Sequence, residues 1–151
     1  MDCIFCDFVS GKRKEHLNGL PFKVLNETKN TMSFLSFEIP KTEDGHIIVT
    51  SKKHFFDLED VPKLILHELI DHTSLVSKVL REKHESCNIL LNNGETAGQR
   101  VFHIHFHIIP RDERDKIKIE VWKNRKLNKN DFKKLQNKII RLFRKYKNYF
   151  R

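Results

Sequence analysis

Cysteine, tryptophan and glycine are scarce in this chain of 151 residues, with three, one and five copies. Cys3, Cys6 and Cys87 are too few for a disulfide framework, and the close pair Cys3/Cys6 suits a metal or redox role better than a staple. No apolar run approaches the roughly 20 residues that span a bilayer. The opening residues also lack the basic and then apolar layout of a secretory signal, so a cytoplasmic location is expected, with no membrane as partner. Internal repeats and low-complexity linkers are missing too. The length suits one compact domain over residues 1–151.

Charge is plentiful but uneven. From Arg111 onward sixteen Lys/Arg face five Asp/Glu, whereas residues 1–110 carry thirteen against fifteen, so the net +9 belongs to the C-terminal segment. Residues 126–151 are expected to be a basic helical extension. Such a face attracts phosphates or nucleic acid, but lysine-rich helices are more often solvated surface, and charge alone names no partner.

Lys23–Leu25, Thr31–Phe37 and His46–Thr50 read as strands of an antiparallel meander. Pro62 opens a long helix with an apolar stripe of Leu66, Leu69, Ile70, Thr73, Val76 and Leu80. Asn88–Leu91 and Arg100–Ile109, the latter closed by Pro110, read as a hairpin around a polar loop. Asn130–Asp131 caps a final helix whose Phe132, Leu135, Ile139, Leu142, Phe143 and Tyr146 recur at helical spacing. The expected class is α+β: an antiparallel sheet of about five strands, a long helix packed on it and a C-terminal helix.

The chemistry concentrates in His103-Ile104-His105-Phe106-His107, where alternation puts three imidazoles on one strand face and two apolar residues in the core. Neutral imidazole near pH 7 is a nucleophile, an acid or base, or a metal ligand. Two chemistries are therefore open: nucleophilic catalysis, or a three-imidazole zinc centre with a bound water. The preceding Asn92-Asn93-Gly94-Glu95-Thr96-Ala97-Gly98-Gln99 favours the first, because it supplies uncharged donors and glycine turns suited to an anion.

The His-apolar alternation together with that loop resembles the histidine triad (HIT) family. Cys3-x-x-Cys6, Gly45-His46-Ile47-Ile48-Val49, Lys53-His54 and Val121-Trp122-Lys123 look like the metal-containing bacterial members of its Hint-like branch. The likeness covers about residues 1–125. It implies a hydrolase for purine nucleoside phosphoramidates or related nucleotides in which His105 attacks the α-phosphorus and forms a nucleotidyl-histidine. Asn92, Gly98, Gln99 and His107 are the implied phosphate contacts. It further implies a structural zinc held by Cys3, Cys6, His54 and His103, and a homodimer with Trp122 near its interface. A dinucleoside polyphosphate hydrolase, or a nucleotide sensor or RNA-binding adaptor without turnover, are the alternatives.

Two positions depart from the pattern. Arg100 stands where a serine or threonine usually assists the leaving group, and a guanidinium binds polyphosphate oxygens but is no acid near neutrality. Ser36 replaces the aspartate that commonly grips ribose, with Glu38 nearby, while Phe34 and Phe37 are core residues first and base-stacking residues second. His46 is expected to be an ordinary satisfied histidine. His16, His67, His72 and His84 are expected to be surface or helix residues without chemistry.

Overall fold

A computed structural model of the chain describes residues 3–38, 44–119, 121, 123–146 and 149. They divide into two compact units, Met1–Ile117 and Lys118–Arg151. In the first, β1 (Val24–Glu27), β2 (Thr31–Leu35), β3 (Ile47–Ser51), β4 (Ser86–Leu91) and β5 (His105–Arg111) form one antiparallel sheet in the order β1-β2-β3-β5-β4. Helices α1 (Ile4–Val9) and α2 (Lys63–Leu80) belong to the same unit. The α+β class, the meander and the β4–β5 hairpin are as expected.

Alternation along the strands divides the apolar side chains between two faces. Val49 pairs with Phe106, and these two, with Ile108, pack against Leu69, Val76 and Leu80 of α2. Ile48 pairs with Phe34 on one side and His107 on the other, so this row faces the opposite way and is covered by Phe5 and Phe8 of α1. Each such buried Phe, Leu or Ile stabilises the fold by about 1.5–3 kcal/mol relative to exposure. Glu68 fastens α2 to the β1–β2 turn by accepting from the Asn30 backbone N–H at 2.9 Å, from Asn30 Nδ2 at 2.7 Å and from the Thr28 hydroxyl.

Several elements differ from the expectation. Helix α1 was absent from it, because six residues are too few for a periodic signal. Ile70, on the expected apolar stripe, is half exposed. Most consequential, β5 starts at His105 rather than Arg100: the Ile104 N–H donates to the Phe55 carbonyl at 2.8 Å and the His103 N–H to the Val101 carbonyl at 2.8 Å, which takes both amides out of the ladder. At the other end the strand continues through Pro110. Its missing N–H is harmless there, since Pro110 pairs only with Cys87 of β4 and lies beyond the last β3 partner, Ile108.

The second unit contains α3 (Lys129–Phe143), whose cap lies two residues before the expected Asn130. Asn128 is its cap, accepting from the Asp131 N–H at 2.9 Å. Trp122, expected near a dimer interface, lies outside the described residues.

His16, His72 and His84 are buried, contrary to the surface placement expected of the first and last. His84 sits between two carboxylates, with Nδ1 2.6 Å from Asp112 and Nε2 2.9 Å from Asp44, joining the segment before β3 to the end of β5. The hydrogen bonds to Asp112 and then Asp44 raise its pKa. Because the folded value is raised, this bridge contributes fully below the unfolded value near 6.5 and is lost as pH climbs through the folded one. The denaturation midpoint of the native chain should therefore fall as pH rises above about 6.5. His84→Gln should flatten that slope; an unchanged slope in the variant would refute the assignment.

Candidate functional site

The late start of β5 separates the triad. His105 and His107 lie on one strand face, ring centroids 4.8 Å apart, and both line a pocket of about 460 Å³. His103 precedes the strand, fully buried, and turns instead toward Cys3 and Cys6. The sequence pattern had put all three on one face.

Backbone carbonyls determine which nitrogen of each ring carries the proton, since a carbonyl can only accept. His105 Nδ1 is 2.6 Å from the carbonyl oxygen of His103, so Nδ1 is the donor and Nε2 keeps its lone pair. In His103 the roles are reversed: Nε2 donates to the Ser51 carbonyl at 2.8 Å and Nδ1 is bare. Burial lowers the pKa of all three rings, with His103 at about 4 and His107 at about 3; neighbouring histidines add to the shift in both of these. All three are thus neutral at pH 7.

His46 emerges as a site residue that sequence reasoning passed over. Its Nε2 lies 3.2 Å from His107 Nδ1, and it hydrogen-bonds to the Glu38 backbone, so it holds the His107 ring in place from just before β3. The signal that would have found it is register: Ile48 pairs with His107, which brings the residue before β3 alongside that ring.

The polar loop before β5 supplies one pocket wall. Asn92 and Gly98 line it, and the Asn92 Nδ2 reaches the Gly98 carbonyl at 3.4 Å. Gly98 has φ +95°, a conformation that glycine adopts without the strain an L side chain would meet. Gln99 faces the other way. Only 2% exposed and not in the pocket lining, it accepts from the Gly94 N–H at 2.8 Å and donates to the Phe56 carbonyl at 3.0 Å, tying the loop to the segment after β3. The opposite wall is aromatic: Phe5 and Phe8 of α1, His16, Phe34 and Phe37, with Ser36 beside them. Phe34 is core as expected, and it shows an edge to the pocket as well. Arg100 and Glu38 also line the pocket and pair at 2.9 Å.

Cys3, Cys6, His54 and His103, the four expected metal ligands, do come together. Their ligand atoms all lie within 4.8 Å of one another. Cys3 Sγ is 3.4 Å and Cys6 Sγ 3.6 Å from His103 Nδ1, and Cys6 Sγ is 3.4 Å from His54 Nδ1. A tetrahedron built on bonds of about 2.3 Å to sulfur and 2.0–2.1 Å to nitrogen has S···N edges of roughly 3.5 Å. The donor set therefore fits a tetrahedral soft cation, and the Ser51 carbonyl supplies the outer hydrogen bond that orients a metal-bound imidazole.

The HIT domain family model matches residues 19–114. An uncharacterized HIT-like protein of Methanocaldococcus jannaschii is 37% identical over 114 residues, 75% of this chain and 81% of that protein. An adenosine 5'-monophosphoramidase of Saccharomyces cerevisiae is 35% identical over 113 residues, 74% of this chain but 65% of that protein. Among solved structures, a zinc-bound histidine triad family protein from Mycobacterium smegmatis matches with a TM-score of 0.67 at 28% identity, covering 97% of this chain and 99% of that one.

The placement of Gln99 makes a direct prediction. Gln99→Ala leaves the Gly94 N–H and Phe56 carbonyl without partners and should cost about 1–3 kcal/mol of stability in a denaturant titration. A side chain reaching freely into the pocket would leave the midpoint unchanged.

Proposed function

The chain belongs to the histidine triad family, and from that premise we propose that it hydrolyses purine nucleoside phosphoramidates or related nucleotides at the α-phosphorus, with His105 as nucleophile. The observation that carries the reading is the bond from His105 Nδ1 to the His103 carbonyl, which aims a bare Nε2 from the strand face that lines the pocket. The Nε2 lone pair forms an N–P bond as the bond from phosphorus to the leaving group breaks, with its electron pair departing on the leaving group, which takes up a proton from water when it is an amine. Water then forms an O–P bond, the N–P bond breaks, the lone pair returns to Nε2, and the water's proton is released. One difficult substitution becomes two easier ones.

The remaining roles follow from position. His107, steadied by His46, stands beside the phosphate together with Asn92, and Gly98 allows the loop backbone to approach. Gln99 acts through the loop it ties. Ser36 faces the sugar, and Phe5, Phe34, Phe37 and His16 enclose the base. The name of the yeast relative supports an adenosine phosphoramidate among the substrates. We place the protein in the cytoplasm as a homodimer; the apolar side chains exposed on α2 (Leu75, Val79) and on edge strand β4 (Ile89) support the second copy.

His105→Ala should abolish turnover of an adenosine phosphoramidate while leaving the unfolding free energy within about 2 kcal/mol of native. Mass spectrometry of the quenched native reaction should find adenylate on the peptide containing His105. Full activity in the variant, or an adduct elsewhere, would overturn the mechanism.

The four-residue cluster is proposed as a structural zinc site: a closed tetrahedron supplies stability rather than chemistry, pinning α1 to the segment before β5. The zinc-bound M. smegmatis neighbour supports the same metal. The purified chain should carry one zinc per polypeptide. With metal a thousandfold above its dissociation constant, chelation should remove about 4 kcal/mol. No change on chelation would refute the site.

A further inference from the structure

Arg100 and Glu38 meet beside the triad in a way that bears on the leaving group. Both line the pocket that contains His105 and His107, and Arg100 Nη1 donates to Glu38 Oε1 at 2.9 Å. The two side chains are 81% and 54% exposed, so the pair is screened and worth little by itself. An anion entering the pocket can therefore displace Glu38 at small cost. A guanidinium forms stronger, forked bonds to a phosphate or similar oxyanion than to one oxygen of a solvated carboxylate.

The bond-breaking step separates two kinds of leaving group. When the P–N bond of an amidate breaks, the amine takes the electron pair and needs a proton, which Arg100 cannot supply because its guanidinium stays charged at any ordinary pH. When a P–O bond of an anhydride breaks, the departing oxygen takes the electron pair and leaves as an anion. It needs a nearby positive charge and no proton, and Arg100 is the cation among the described residues that line the pocket.

We propose that the Arg100–Glu38 pair is a charge-selective latch that directs this site toward nucleotides whose leaving group is an oxyanion, the nucleoside polyphosphates and mixed anhydrides, over amidates of neutral amines. Arg100 binds the leaving group, and Glu38 is the internal competitor that a neutral leaving group fails to displace. The inference rests on the hydrolase reading above and narrows its substrate class.

The test compares kcat/KM for diadenosine tetraphosphate and for an N-alkyl adenosine phosphoramidate, in the native chain and in Arg100→Ser, Arg100→Lys and Glu38→Gln. The readout is the ratio of the two values, which does not depend on how much of a variant is folded. Arg100→Ser should lower the tetraphosphate-to-amidate ratio at least about tenfold. Arg100→Lys should restore part of it, keeping the charge but losing the fork, and Glu38→Gln should raise it severalfold. If Arg100→Ser changes both substrates by one factor, the latch is refuted. If Glu38→Gln lowers both equally, Glu38 is a sugar ligand and the latch is likewise refuted. Failure of the native chain to cleave either substrate would instead overturn the hydrolase reading, and this inference with it.

Discussion

The site depends on one backbone feature: the carbonyl of His103 lies 2.6 Å from Nδ1 of the imidazole two residues later. That contact exists because the chain is not yet a strand at His103. In a regular strand the carbonyl would point sideways into the ladder, toward β3 or β4. Here the neighbouring Ile104 N–H is taken by the Phe55 carbonyl and its carbonyl by the Thr50 side-chain hydroxyl of β3 at 2.7 Å, so the segment is held by bonds other than those of the ladder. The same bend rotates His103 toward the cysteines while His105 and His107 stay on the pocket face. One local break in the ladder thus yields a pocket-facing imidazole of fixed tautomer and an imidazole turned to the Cys3/Cys6 cluster, two residues apart.

The rest of the first unit supports that break. Strand β3 holds β5 from Ile108 to His105 and then ends at Ser51, whose carbonyl accepts from His103 Nε2. Helix α1 closes the other side: Phe5 lies edge-on to His105 at 5.1 Å between centroids and 5.7 Å from His103, while Cys6 of the same helix approaches both cluster histidines. The cluster and the pocket therefore share a wall. Holding α1 in place holds the aromatic lining as well, which is the part the proposed metal site would play, with no role in the chemistry.

Much of this was legible in the residues, and the limits have physical causes. The alternating triad, the glycine-bearing loop and the Cys-x-x-Cys pair carry their chemistry locally, so spacing and residue type suffice to identify them. Strands rich in β-branched residues and the long amphipathic helix were likewise visible. The sequence did not reveal the bend at 103–104, because alternation of side chains continues through it and only the destinations of the backbone hydrogen bonds break the pattern. Nor did it reveal His46, whose part depends on β3–β5 register, or the inward turn of Gln99, which needs the Phe56 carbonyl brought from 43 residues away. Arg100 was visibly unusual, but only the fold shows Glu38 as its partner.

The account stands on the claim that His105 presents a neutral, unprotonated Nε2 to the pocket while Nδ1–H is held by a backbone carbonyl. Nitrogen NMR of the histidine side chains in the metal-loaded chain at neutral pH reads this directly. The account predicts a protonated, pyrrole-type shift at His105 Nδ1 and a bare, pyridine-type shift at His105 Nε2, with a metal-bound signature at His103 and none at His105. The opposite tautomer, or metal coordination at His105, would contradict it.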